Sequence, residues 1–170
     1  MSTVQWGKRH DHRIQLSAGD QLLAEFEIVD ENKETAEVAG KQWTYELSSD
    51  EARATDGSVE WVAQAPKGFK KSKRFVATIG ERSIDFINEQ KSDWIIDEND
   101  TKLGQFSGAN NGVRNVAVEF EPEVALDKAE QVYLAWLSRI ALEQRLVGLT
   151  WILTLVLLIL TPLVLFLFFN

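Results

Sequence analysis

The end of the chain limits what the rest can be. From Leu146 to Phe169 run 24 residues without a charge, 19 of them hydrophobic. A helix rises ~1.5 Å per residue, so such a run covers ~36 Å against ~30 Å of bilayer hydrocarbon. The run predicts a single transmembrane helix over 146–170, since it exceeds the usual length of a buried core helix. Thr150, Thr154 and Thr161 can return their hydroxyls to the preceding turn, and Pro162 should bend the helix near Leu158. Gly148, Thr150, Thr154 and Thr161 are small residues that permit close helix packing in lipid. Trp151 at the near end, and Phe166, Phe168 and Phe169 at the far end, suit the two interfaces.

Orientation follows from what flanks the run. Met1 to Arg13 is polar and has no apolar h-region, so it does not read as a signal peptide. Arg139 and Arg145 lie before the run and no base lies after it. Positive residues stay on the cytoplasmic side. The expectation is a tail-anchored, single-pass protein of the cell membrane with its N-terminal domain in the cytoplasm.

What precedes the run is enough for one ordinary domain. The balance is acidic, 26 acids against 18 bases for a net charge of −8, which argues against a nucleic-acid partner. There are no cysteines, which excludes disulfide frameworks, zinc-thiolate and iron–sulfur sites and thiol nucleophiles.

Short alternating or branched runs recur at hairpin spacing through this region. They are 12–16, 21–29, 35–38, 41–47, 59–65, 74–79, 83–88, 94–97, 102–107 and 113–121. In K-Q-W-T-Y-E-L, Trp43 and Tyr45 fall on one face and Thr44 and Glu46 on the other. The connections are rich in turn formers, and Asn111-Gly112 is the strongest hairpin signal among them. The reading is mainly β, a meander barrel or sandwich of about ten strands. After Pro122 the period changes. Glu123 to Leu142 has no Gly or Pro, repeats its apolar residues near 3.6, and places acids early and bases late. Between Val132 and Leu142 it is apolar almost all round, so it must be enclosed. The pattern leaves open whether it packs inside or outside the β-structure. The chain thus divides into a β-domain over 1–121, an apolar helix over 122–145 and an anchor over 146–170.

Several of these segments carry a resemblance. W-T-Y-E-L at Trp43 to Leu47, R-F-V-A-T-I at Arg74 to Ile79, W-I-I-D-E-N-D-T-K-L-G-Q-F at Trp94 to Phe106 and the helix from Glu123 resemble the tubby C-terminal-like superfamily. That superfamily includes the plant LURP-one-related proteins and the phospholipid scramblases. The resemblance covers roughly 14–142 and implies a β-barrel wrapped around a C-terminal hydrophobic helix. The superfamily has twelve strands, and its final helix ends the domain, whereas here an apolar span follows.

Chemistry is sparse. The only histidines, His10 and His12, flank Asp11 near the N-terminus. They lack a third nitrogen or sulfur donor for a metal and read as a solvated segment. A nucleophile–His–acid constellation has almost no raw material. Asp97 to Asp100 lacks the register of a calcium loop and reads as a polar turn. No catalytic, cofactor or metal residue is expected, and the protein reads as no enzyme.

The one charge feature is Lys67, Lys70, Lys71, Lys73 and Arg74, a run that suits an anionic leaflet. It also fits a solvated hairpin or a patch for an acidic partner. Tubby-like domains can bind phosphoinositides through basic residues, so the resemblance implies the lipid alternative. The leading expectation is a non-catalytic accessory or assembly subunit. It would contact an integral membrane protein complex through span and β-domain. Size and architecture are similar to small single-span subunits of bacterial respiratory-chain oxidase assemblies. The alternative is an anionic-lipid-binding module at the membrane surface.

Overall fold

A computed structural model describes residues 2–90, 92–108 and 116–169, without the side chains of 146–155 and 162–169. The alternating segments form twelve antiparallel strands closed into one barrel. They are β1 (Ser2–Trp6), β2 (Arg13–Ala18), β3 (Gln21–Ile28), β4 (Lys33–Val38), β5 (Lys41–Leu47) and β6 (Glu51–Thr55). The second half comprises β7 (Glu60–Gln64), β8 (Arg74–Ile79), β9 (Arg82–Gln90), β10 (Asp93–Glu98), β11 (Thr101–Ser107) and β12 (Ala117–Phe120). Each strand pairs with its sequence neighbours, and β1 closes the ring against β12 with Val4 opposite Val118.

The expected count of about ten is therefore corrected to twelve. The two missed strands had specific causes. β1 lies in a segment read as polar and solvated, yet its Val4 and Trp6 point inward and are buried. β6, E-A-R-A-T, alternates alanine with polar residues, and alanine gives little strand signal. Its Ala52 and Ala54 are fully buried all the same. The expected Asn111-Gly112 hairpin lies outside the described residues.

A barrel's diameter grows with strand number. Eight strands are filled by their own side chains, so twelve leave an axial space. One helix, α1 (Lys128–Phe169), fills it. From Val132 to Leu142 every residue is buried, including Ser138 and Arg139. That settles the packing question: the apolar helix runs inside the barrel. Tyr133 donates to the carbonyl of Ala52 at 3.4 Å, and the Trp6 indole N–H donates to that of Ala135 at 3.0 Å. Alanines at 52, 54, 63 and 77 line the β6–β8 wall and are fully buried. Trp43, Tyr45, Trp61 and Tyr133 form a chain of ring contacts, with centroids 4.5–6.4 Å apart. Ser138 returns its hydroxyl to Leu134 O at 2.8 Å, so that buried donor is satisfied within the helix.

The helix starts at Lys128, not at the expected Glu123. Asp127 accepts from the Glu130 N–H at 2.8 Å and Glu130 accepts from the Asp127 N–H at 3.0 Å. This reciprocal cap marks the first turn. Arg82 then ties that turn to the wall, pairing with Glu130 at 2.7 Å and with Glu98 at 2.8 Å.

Among the described residues, no helix is long and apolar enough to cross a membrane. The expected span over 146–170 lies largely outside the described side chains. The backbone of α1 runs on without a break to Phe169. Where its side chains are described, Val156 to Leu160 are exposed by 45–72%. Thr161 returns its hydroxyl to Leu157 O at 2.6 Å.

Candidate functional site

The two ends of the barrel differ. The helix enters at an end closed by tight turns and leaves at an end built of longer loops. The turn-end connections hold Asp20, Asp56, Glu81, Asp100, Glu121, Glu123 and Asp127, with Lys41, Arg82, Lys102 and Lys128 on the adjoining ends of strands and helix. At the loop end, the described loops hold Lys8, Arg9, Lys67, Lys70, Lys71 and Lys73 against Asp11, Asp30, Glu31 and Asp50. Within the connections, acids therefore prevail at the turn end and bases at the end where α1 leaves the barrel.

The lysine loop, 65–73, is a folded unit. Gly68 has φ +73°, and a Cβ there would stand 2.9 Å from Ser49 O, so the position needs glycine. Phe69 is buried edge-on against Phe75 at 5.1 Å. The buried Ser72 hydroxyl accepts from Lys67 N at 3.1 Å, and the Ser72 carbonyl accepts from Arg145 Nη2 at 2.8 Å. Arg145 also donates to Asn88 Oδ1 at 3.0 Å and lies 4.6 Å from the centre of the Trp94 ring. The last charge before the apolar run thus clamps the helix to the loop. Lys67, Lys70, Lys71 and Lys73 are exposed, and none makes an ion pair among the described residues. Arg74 leaves the group: it grips Asp85 with two bonds of 2.8 and 3.0 Å on the outer wall. Sequence proximity put five bases together, and the strand geometry presents four.

The second feature was not visible in the sequence. Arg139 is 2% exposed inside the loop end. Its guanidinium pairs with Glu34, lies 4.3 Å from the Trp6 ring centre and is 3.6 Å from Glu143. Glu34 also accepts from the Trp136 indole at 3.1 Å. The Arg139 Nε has no hydrogen-bond partner among the described residues. Burial pushes the Glu143 carboxyl above its usual range; Arg139 opposes this, Glu34 adds to it and Arg9 opposes it. Burial also raises the Tyr45 and Tyr133 phenols, so both stay neutral. Two adjoining clefts open here. One, of about 550 Å³, is lined by Lys8, Arg9, Ile14, Ile28, Glu34, Arg139 and Glu143. The other, of about 420 Å³, shares Arg9, Ile28, Glu34 and Glu143 and adds His12.

The remaining candidates stay apart. His10 and His12 occupy a turn closed by paired His10–Arg13 backbone bonds of 2.9 Å. Among the described residues no three potential metal ligands gather. Asp97 to Asp100 covers the end of β10 and the β10–β11 turn, with Asp100 N donating to Asp97 at 3.0 Å and Glu98 held by Arg82. Of the expected packing face, Thr161 is described, and the side chains of Thr150 and Thr154, with Gly148, lie outside the described set. No protein family, curated protein or solved structure matches the chain.

Proposed function

We propose that this protein is a tail-anchored, non-catalytic accessory or assembly subunit of a larger membrane protein complex, with its barrel in the cytoplasm. The observation that supports the reading is that the plug and the apolar run after it are one helix, Lys128–Phe169. The barrel is filled by that helix, so its working surface is its outside. The apolar side chains Val156 to Leu160 have no cover among the described residues. Such a contiguous exposed patch calls for lipid or a partner. A barrel threaded on its own anchor and clamped by Arg145 keeps a constant height above the bilayer, as an assembly surface needs. The test is purification of the intact chain in mild detergent with mass spectrometry of what accompanies it. A stoichiometric integral membrane partner, with respiratory-chain oxidase subunits as first candidates, is the expected result. Migration as a lone monomer overturns the proposal.

A second reading is an anionic-lipid-binding module of the tubby-like kind, supported by a closed twelve-stranded barrel around a helix. The four unpaired lysines on the rim where α1 leaves favour it. Each base near an anionic leaflet contributes ~1 kcal/mol, so four give ~4 kcal/mol. Salt-sensitive binding to phosphatidylglycerol vesicles, lost when Lys70, Lys71 and Lys73 become Glu, is expected. Equal binding to neutral and anionic vesicles counts against it.

A further inference from the structure

We infer that the cleft beside Arg139 is a binding site for a zwitterion that carries a primary ammonium close to a phosphate. The cleft has charges of both signs on separate elements. Lys8 and Arg9 stand on the β1–β2 loop, while Glu34 and Glu143 stand on β4 and α1. Lys8 and Arg9 are exposed and make no ion pair among the described residues. The Arg139 Nε is buried in the same wall, makes no hydrogen bond among the described residues and faces the Glu143 carboxylate at 3.6 Å. A buried donor that no acceptor reaches within hydrogen-bond distance favours an incoming oxygen.

A pure anion meets two carboxylates in this cleft, and a pure cation meets three bases. A molecule with both charges satisfies each side. Its phosphate takes the Arg9, Lys8 and Arg139 donors, and its ammonium donates to Glu143 and Glu34. Ile14 and Ile28 supply an apolar flank. A volume of about 550 Å³ accepts a group of phosphoethanolamine size with room to spare. Because the cleft opens where α1 leaves the barrel, an aminophospholipid headgroup has direct access to it. This placement rests on the tail-anchor reading, whereas recognition of the zwitterion itself does not.

The experiment uses the intact chain in mild detergent, titrated calorimetrically with phosphoethanolamine, phosphocholine and glycerol phosphate. Phosphocholine keeps both charges but has no N–H, and glycerol phosphate lacks the amine. Phosphoethanolamine is expected to bind at least tenfold more tightly than either. Arg9→Glu and Glu143→Gln should each remove that preference, and Glu37→Gln, exposed on the outer wall of β4, should leave it intact. Native mass spectrometry with phosphatidylethanolamine, phosphatidylcholine and phosphatidylglycerol then assigns the source. Selective retention of phosphatidylethanolamine assigns a lipid, and binding of the free compound alone assigns a soluble ligand; either supports the zwitterion site. Equal affinity for all three soluble probes, no binding by any, or a preference that survives both cleft variants overturns it. Vesicle flotation of the intact chain judges the anchor separately.

Discussion

Replacing Glu34 with Ala tests whether the polar centre of the barrel is as dry as its geometry implies. Glu34 is the principal counter-ion of Arg139, whose side chain is 2% exposed, and it accepts the Trp136 indole N–H at 3.1 Å. Removing one member of a buried pair costs about 3–5 kcal/mol, and here only the longer contact to Glu143, at 3.6 Å, would remain for Arg139. A domain of this size has about 5–15 kcal/mol in all, and each kcal/mol moves its midpoint by about 2–4 °C. Glu34→Ala is therefore expected to lower Tm by about 6–20 °C. Glu34→Gln keeps an acceptor for Trp136 and should recover about 1 kcal/mol of the loss. Glu34→Leu with Arg139→Met removes both charges and should be far more stable than either change alone. The assay is urea unfolding of the intact chain in mild detergent, followed by tryptophan fluorescence, since Trp6 and Trp136 border the pair. A Glu34→Ala loss below ~1 kcal/mol, the range of exposed pairs, would mean that water reaches Arg139 and that the centre is not dry.

Three further outcomes follow from single sites. A Cβ on Gly104 would meet Glu119 O at 2.6 Å and the Phe120 ring at 3.1 Å, so Gly104→Ala should cost about 1–3 kcal/mol in the same unfolding assay. Asp56 is held well below the ordinary carboxylate value of 3.8 by Lys41, then by the Val59 and Ser58 donors of its turn. Its stabilisation is present above that value and lost as pH falls, so Asp56→Asn should lower Tm at pH 7 and flatten the acid side of the stability profile. Glu143 has the opposite sign. Its raised folded value means stability that is full below 4.5 and lost as pH rises through that raised value. Glu143→Gln should therefore be more stable than the parent at pH 7 and lose that advantage near pH 4, in thermal scans across the range.

Strands with large inward side chains were legible. Lys41 to Leu47 and Arg74 to Ile79 match their sequence limits, because Trp43, Tyr45, Phe75 and Ile79 mark the inner face at every second residue. β6 was not legible, because its inner residues are alanines chosen for space. Their small size makes sense only opposite Tyr133, a contact across 81 positions of chain. The helix start was misplaced for a related reason. Helix formers from Glu123 onward satisfied propensity, yet the reciprocal Asp127–Glu130 cap selects the first turn.

The candidate site divides along the same line. Four lysines within seven positions are a local feature, so the sequence reveals them, but which of the neighbouring bases joins them is not local. Arg74 begins a strand and is drawn outward to Asp85 across the β8–β9 ladder. Arg139 read as a late helical charge suited to a helix end or a membrane flank. Its actual partner, Glu34, is 105 positions away; the alternation of β4 puts it on the inner face with Ala36 and Val38 but does not say which cation it meets. What makes the pair possible is the barrel's size. A ring of twelve strands must be plugged, and the helix that plugs it is also the one that leaves through the loops. Any charge near its exit is then buried by loops from distant parts of the chain. The all-round apolarity of 132–142 foretold the enclosure. The two exceptions within it, Ser138 and Arg139, find partners differently: Ser138 bonds its own helix, and Arg139 reaches Glu34 on the wall.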